Sequence, residues 1–268
     1  MAMRIAVSIG LVMLVAAPLG LGAQVRVELP APSGRINVSF TEPSDEGQAD
    51  RLRDLAVRLK PVADQLETFD QIDIVIVHSQ RELDQRLGPD KAGALTGVSY
   101  VHGILFLSPI TWERNPTDEA LEHEMQEALA RYAVVRLAGG NRVPDWLEEG
   151  LVSVLTRRPV APMTAEQVAR RADLLLAQFE QQDPTVGHWA VRYLVDDRGG
   201  LTPLRQLLRL VSQRPDTFVE NLQLVYGVSV GELERAWRAW LERLVAEDKR
   251  QREGGVREGP LIRDRDRD

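Results

Sequence analysis

The sequence has no cysteine in 268 residues. Disulfides are therefore excluded, as is lipid attachment through a cysteine, and stability must come from a packed core. Basic residues are the minority charge, 33 against 40 acidic ones, for a formal net charge of -7. An acidic chain is a poor partner for nucleic acid or anionic lipid, so neither is expected. Also missing are a glycine-rich phosphate loop, a Gly-x-Ser-x-Gly nucleophile elbow, a basic aromatic patch and any internal repeat.

A long apolar stretch follows Arg4 and runs from Ile5 to Leu21, ending in Gly22-Ala23-Gln24. A positive start, an apolar centre and small residues at the end read as a signal peptide over 1–23. Pro18 and Gly20 favour cleavage; an uncleaved N-terminal anchor is the alternative. The expectation is an exported protein, periplasmic or secreted, with no stable membrane span once the signal is cut. About 245 residues then remain, enough for one large domain or two small ones.

The pattern predicts an α+β fold. Arg35–Phe40 alternates like a half-buried strand, Asp50–Phe69 has helical spacing, and Ile72–Val77 is a β-branched run. Ser79 with Glu82 reads as the capping box of a short helix. Val98–Val101 and Ile104–Leu107 flank His102-Gly103 as a hairpin. Strand, helix, strand, short helix and hairpin make a small mixed sheet with helices over 35–139. From Thr117 onward the spacing is helical, with helix starts near Thr117, Asp145, Thr164, Thr185, Thr202, Pro215 and Ser229. Residues 140–246 form the helical half, and the charged segment 247–268 reads as a disordered tail.

The sharpest local feature is Leu121-Glu122-His123-Glu124-Met125-Gln126-Glu127. Leu121, Met125, Ala128, Tyr132 and Val135 form one apolar stripe, while Ala120, Ala130, Val134 and Leu137 surround His123 and Glu127 on another face. A helix apolar on two sides is central to a fold. A carboxylate in such company is paired, protonated or bound to metal. His123 and Arg131 both stand within reach of Glu127 along the helix. The second feature is Val143-Pro144-Asp145-Trp146-Leu147-Glu148-Glu149-Gly150. Asp145 with Glu148 fits a capping box, and Gly150 permits close approach by a neighbour. Glu149 has no evident structural task beyond a favourable charge in a first turn.

Together these segments resemble the peptidase MA-like domains of the gluzincin metallopeptidase superfamily, over about residues 35–246. That pattern is His-Glu-x-x-His on one helix and Pro-x-Trp-Leu-x-Glu-Gly at the start of the next. Residues 188–210 and 228–237 resemble the later helices of the same family. The resemblance implies a zincin-like fold with His123 as first metal ligand, Glu124 as catalytic base and Glu149 as third ligand. Tyr193 falls on the helix that often supplies an oxyanion-stabilising group, and His188 on that helix is a candidate stand-in for the missing ligand; a place in the core is the alternative reading of such an aromatic. Glu127 occupies the place of the second histidine, so the pattern is degenerate, His-Glu-x-x-Glu.

In the family such residues hold a zinc ion with one open position for a water that Glu124 would deprotonate. With two carboxylates and one imidazole the ion's charge is cancelled. Its Lewis acidity falls, and preference moves from zinc toward manganese or magnesium. The expected function is therefore binding of a peptide or protein segment without efficient cleavage, with weak zinc or no metal. Two alternatives stay open: an active metal-dependent peptidase using His123, Glu127 and Glu149, and a non-catalytic helical interaction module. Trp237 and Trp240 read as core anchors of the last helix, and His78 and His102 receive no role.

Overall fold

A computed structural model of the chain describes residues 35–87, 96–112, 114, 116–157, 164–170, 176 and 184–255. The expected signal, 1–23, and the end of the charged tail lie outside the described residues.

The sheet forms where the sequence alternates. In β1 (Arg35–Phe40) the inward residues Ile36, Val38 and Phe40 are buried, and in β2 (Gln71–Val77) Ile72, Ile74 and Ile76 are fully buried. Side chains of period two place each set on one face. α1 (Glu46–Leu59) and the short α2 (Pro61–Asp64) carry the chain from β1 to β2, which makes those strands parallel. α3 (Gln80–Leu87) follows β2. The hairpin β3 (Gly97–Tyr100) and β4 (Gly103–Leu107) completes the sheet. β4 lies parallel to β2 and antiparallel to β3, giving the order β1-β2-β4-β3 with β3 at an edge. The hairpin turns on Val101 and His102, one residue earlier than the pattern suggested, and Gly103 opens β4. A Cβ there would lie 2.3 Å from the Asp73 carbonyl oxygen, so this position accepts no side chain.

One sheet face carries α1 and α4 (Asp118–Leu137) through Ile36, Ile74, Ile104, Phe106, Leu121 and Met125. The other carries a smaller cluster of Val77, Leu83, Leu105 and Leu107 beneath α3. The expected α+β arrangement is present: a four-stranded mixed sheet, then helices.

The helices that follow are α5 (Asp145–Thr156), α6 (Ala165–Ala169), α7 (Pro184–Asp197), α8 (Leu201–Gln213), α9 (Phe218–Tyr226) and α10 (Val230–Gly255). Gly139, Gly140, Gly199, Gly200 and Gly227 all have positive φ and end helices at the three breaks read from the sequence. The core runs without interruption from Ile36 on β1 to Trp237 and Trp240 on α10. Residues 139 and 140 lie in the loop between α4 and α5. α10 continues to Gly255, so the charged segment beginning at Glu247 starts as helix. No helix among the described residues is long and apolar enough to cross a membrane.

Candidate functional site

α4 begins at Thr117, whose hydroxyl accepts the Ala120 N–H at 3.1 Å, with Asp118 and Glu119 in the first turn. It is buried on two sides, as the residue pattern implied, because the sheet lies under one face and α1, α2 and α5 cover another. Glu124, Glu127 and Arg131 recur at helical spacing on the strip left open between these neighbours, and all three line a cleft of about 920 Å³.

The cleft's far wall is α5. Pro144 occupies its N-cap position, and no side chain caps the helix. The capping box expected from Asp145 and Glu148 is therefore not formed. Glu148 instead accepts a hydrogen bond from Arg131 Nη1 at 2.7 Å. Glu149 is held by two donors of the same guanidinium, Nη1 at 2.8 Å and Nη2 at 3.2 Å. A charged, fork-shaped donor outcompetes a backbone amide for a carboxylate. Burial pulls the Arg131 pKa down, but the hydrogen bonds and charges of Glu149 and Glu148 outweigh it, and the net shift is upward. Arg131 is thus a permanent cation.

The rotation of α5 that aims Glu148 and Glu149 at α4 is fixed from behind. A Cβ on Gly150 would fall 2.2 Å from the Gly187 carbonyl oxygen, and one on Gly187 would fall 2.4 Å from the Trp146 carbonyl oxygen. The close approach anticipated at Gly150 is real, and its partner is α7 rather than a shared ligand site.

The remaining wall is β3. The Leu107 N–H bonds to the Thr96 carbonyl at 2.7 Å. In an antiparallel ladder this makes Thr96, Val98 and Tyr100 the residues bonded to β4. Gly97 and Ser99 then turn their N–H and C=O groups to the outer edge, where no described strand pairs. The Ser99 hydroxyl donates to the Ala128 carbonyl at 2.8 Å, and the Thr96 hydroxyl donates to Glu124, so β3 is tied to α4 along its length.

The residues read as ligands are distributed as follows. His123 Nε2 stands 3.2 Å from Glu127 Oε1, and its buried Nδ1 has no partner among the described residues. Glu149 is engaged by Arg131 through both oxygens. His123 and Glu127 are together, then, while Glu149 is turned to the guanidinium. Among the described residues, no three His, Cys, Asp or Glu side chains are grouped so as to hold a metal ion. The donor set as it stands does not fit a zinc ion, because the Glu149 carboxylate already has a cation.

Tyr193 is buried, accepts a hydrogen bond from Arg198 and packs on Trp240 at 5.7 Å between ring centroids. Burial raises its pKa, with the Arg198 bond opposing. It is not among the residues lining the cleft. His188 bonds Ser153 Oγ through Nδ1 at 2.7 Å; burial first, then Arg192, lowers its pKa.

Two features escaped the sequence reading. Arg131 was a candidate partner of Glu127 and is instead the partner of α5. Its spacing from Glu127 and Glu124 on one strip was the signal available. The other is a cluster at the carboxyl ends of the three parallel strands. Asp45 is wholly buried there and accepts from Ser108 Oγ at 2.5 Å, with His78 Nδ1 at 3.1 Å.

Comparison of the chain with protein-family models, with curated proteins and with solved structures finds no match.

Proposed function

We propose that this chain is an exported, degenerate peptidase MA-like domain of zincin-like fold. In this reading it binds an extended peptide or protein segment in the cleft and does not cleave it by the metal route. The observation that carries the reading is the clamp of Arg131 on Glu149. The carboxylate in the third-ligand position of the family pattern already has a fixed positive partner, while the cleft remains, with a β3 edge that no described strand pairs. Binding follows from the edge: unpaired N–H and C=O groups of a terminal strand recruit an extended chain as an added strand. Chemistry does not follow in the same way. Glu124 would have to deprotonate a water, and the carboxylate that would complete a metal site beside it, Glu149, is engaged by Arg131. The apolar stretch in 1–23 supports export.

Metal analysis of the purified mature chain, together with peptide turnover, tests this. Substoichiometric zinc, manganese and magnesium, with peptide binding but no turnover, is the expected result. Stoichiometric metal lost in Glu149→Ala, with turnover lost in Glu124→Gln, would overturn it. The active peptidase with His123, Glu127 and Glu149 as ligands would take its place. Absence of both metal and peptide binding would favour a helical interaction module.

A further inference from the structure

From the placement of charge around the β3 edge we infer the class of peptide the cleft takes: an extended segment with cationic side chains at alternate positions. The inference rests on reading the cleft as a peptide site and adds what that reading leaves open.

The cleft is lined by five carboxylates and two guanidinium groups. Arg131 is committed to Glu148 and Glu149 at 2.7–3.2 Å. Arg142 lies 3.8 Å from Asp145. Among the described residues, Glu124 and Glu127, on α4 beside β3, have no guanidinium or ammonium partner: Glu124 accepts from the Thr96 hydroxyl, and Glu127 faces the His123 imidazole at 3.2 Å. Both residues are partly exposed.

The phase of β3 decides which positions of a bound strand meet them. A Cβ on Gly97 would sit 3.4 Å from Ala128 Cβ, and the Ser99 hydroxyl bonds the Ala128 carbonyl, so the side chains of Gly97 and Ser99 point toward α4. These same two residues turn their backbone groups outward. In a strand added at that edge, the residues opposite Gly97 and Ser99 project their side chains to the α4 side as well. They are two apart in sequence. The intervening residue, opposite Val98, projects to the face on which Tyr100 packs with the α3 cluster. Charge complementarity therefore selects Lys or Arg at i and i+2 and is indifferent to the residue between.

Four short synthetic peptides of one β-forming background provide the test: lysines at alternate positions, the same lysines adjacent, glutamates at the alternate positions, and glutamines there. Calorimetric titration of the mature chain is expected to rank the alternating-lysine peptide first, by at least about tenfold over each of the others. That advantage should shrink as salt rises and disappear in the Glu124→Gln/Glu127→Gln double variant, whose unchanged thermal midpoint would show it folded. Equal binding of the glutamate or glutamine peptide overturns the cationic preference and leaves the peptide site standing. Equal binding of the adjacent-lysine peptide overturns the strand-addition register. Failure of all four peptides to bind overturns both this inference and the peptide reading of the cleft.

Discussion

Two polar clusters flank the same sheet and differ in almost every physical respect. At the ends of the parallel strands, Asp45 is fully buried and bonded to Ser108 and His78. Along the β3 edge, Glu127, Glu148 and Glu149 keep 27–38 % of their side-chain surface and open onto a cleft. Burial makes the first a stability device, because a buried acceptor that loses its partners, or leaves them unpaired, costs the full desolvation penalty. Exposure makes the second a weak contributor to folding, because partly exposed carboxylates are screened by solvent.

Each of the following substitutions would break that contrast if its outcome differed. Asp45→Ala leaves Ser108 and His78 without their acceptor inside the fold, and should cost about 3 kcal/mol in urea unfolding. A loss below about 1 kcal/mol would place Asp45 with the open cluster. Gly150→Ala drives a methyl group against the Gly187 carbonyl and should cost about 2 kcal/mol, measured as a fall in thermal midpoint.

Arg131→Ala comes next, at about 1–2 kcal/mol at neutral pH, since it leaves two adjacent carboxylates half-buried without a cation. The sign with pH is informative. In the native chain the raised Arg131 pKa means its contribution is present at all pH values below the unfolded arginine value and is lost only in strong alkali. The deficit of the variant should therefore stay constant between about pH 6 and about pH 9, and a deficit that changes across that range in urea unfolding would overturn the assignment. The smallest effect belongs to Glu127→Gln, below about 0.5 kcal/mol in the same unfolding assay.

The sequence announced its local structure better than its pairings. β1 and β2 were visible because Ile36, Val38 and Phe40, then Ile72, Ile74 and Ile76, obey a period of two. α4 was visible as central because its apolar residues fall on two faces. The breaks at Gly139-Gly140 and Gly199-Gly200 were legible because only glycine sits easily at those positive φ angles. Arg131 and Glu149 are 18 residues apart with a helix reversal between them, so which carboxylate the arginine would choose depended on the crossing of α4 and α5. The meeting of Asp45, His78 and Ser108 depended on strand order, since they are neighbours only when β2 lies between β1 and β4. Local periodicity encodes neither.

The guanidinium that straps α4 to α5 has one further consequence. It fixes the spacing of α4 and α5 in the free protein, so under the proposed peptide reading docking requires no rearrangement of the two helices. Capture should then behave as a single collision-limited event, its observed rate rising in proportion to the concentration of the incoming chain and never reaching a plateau.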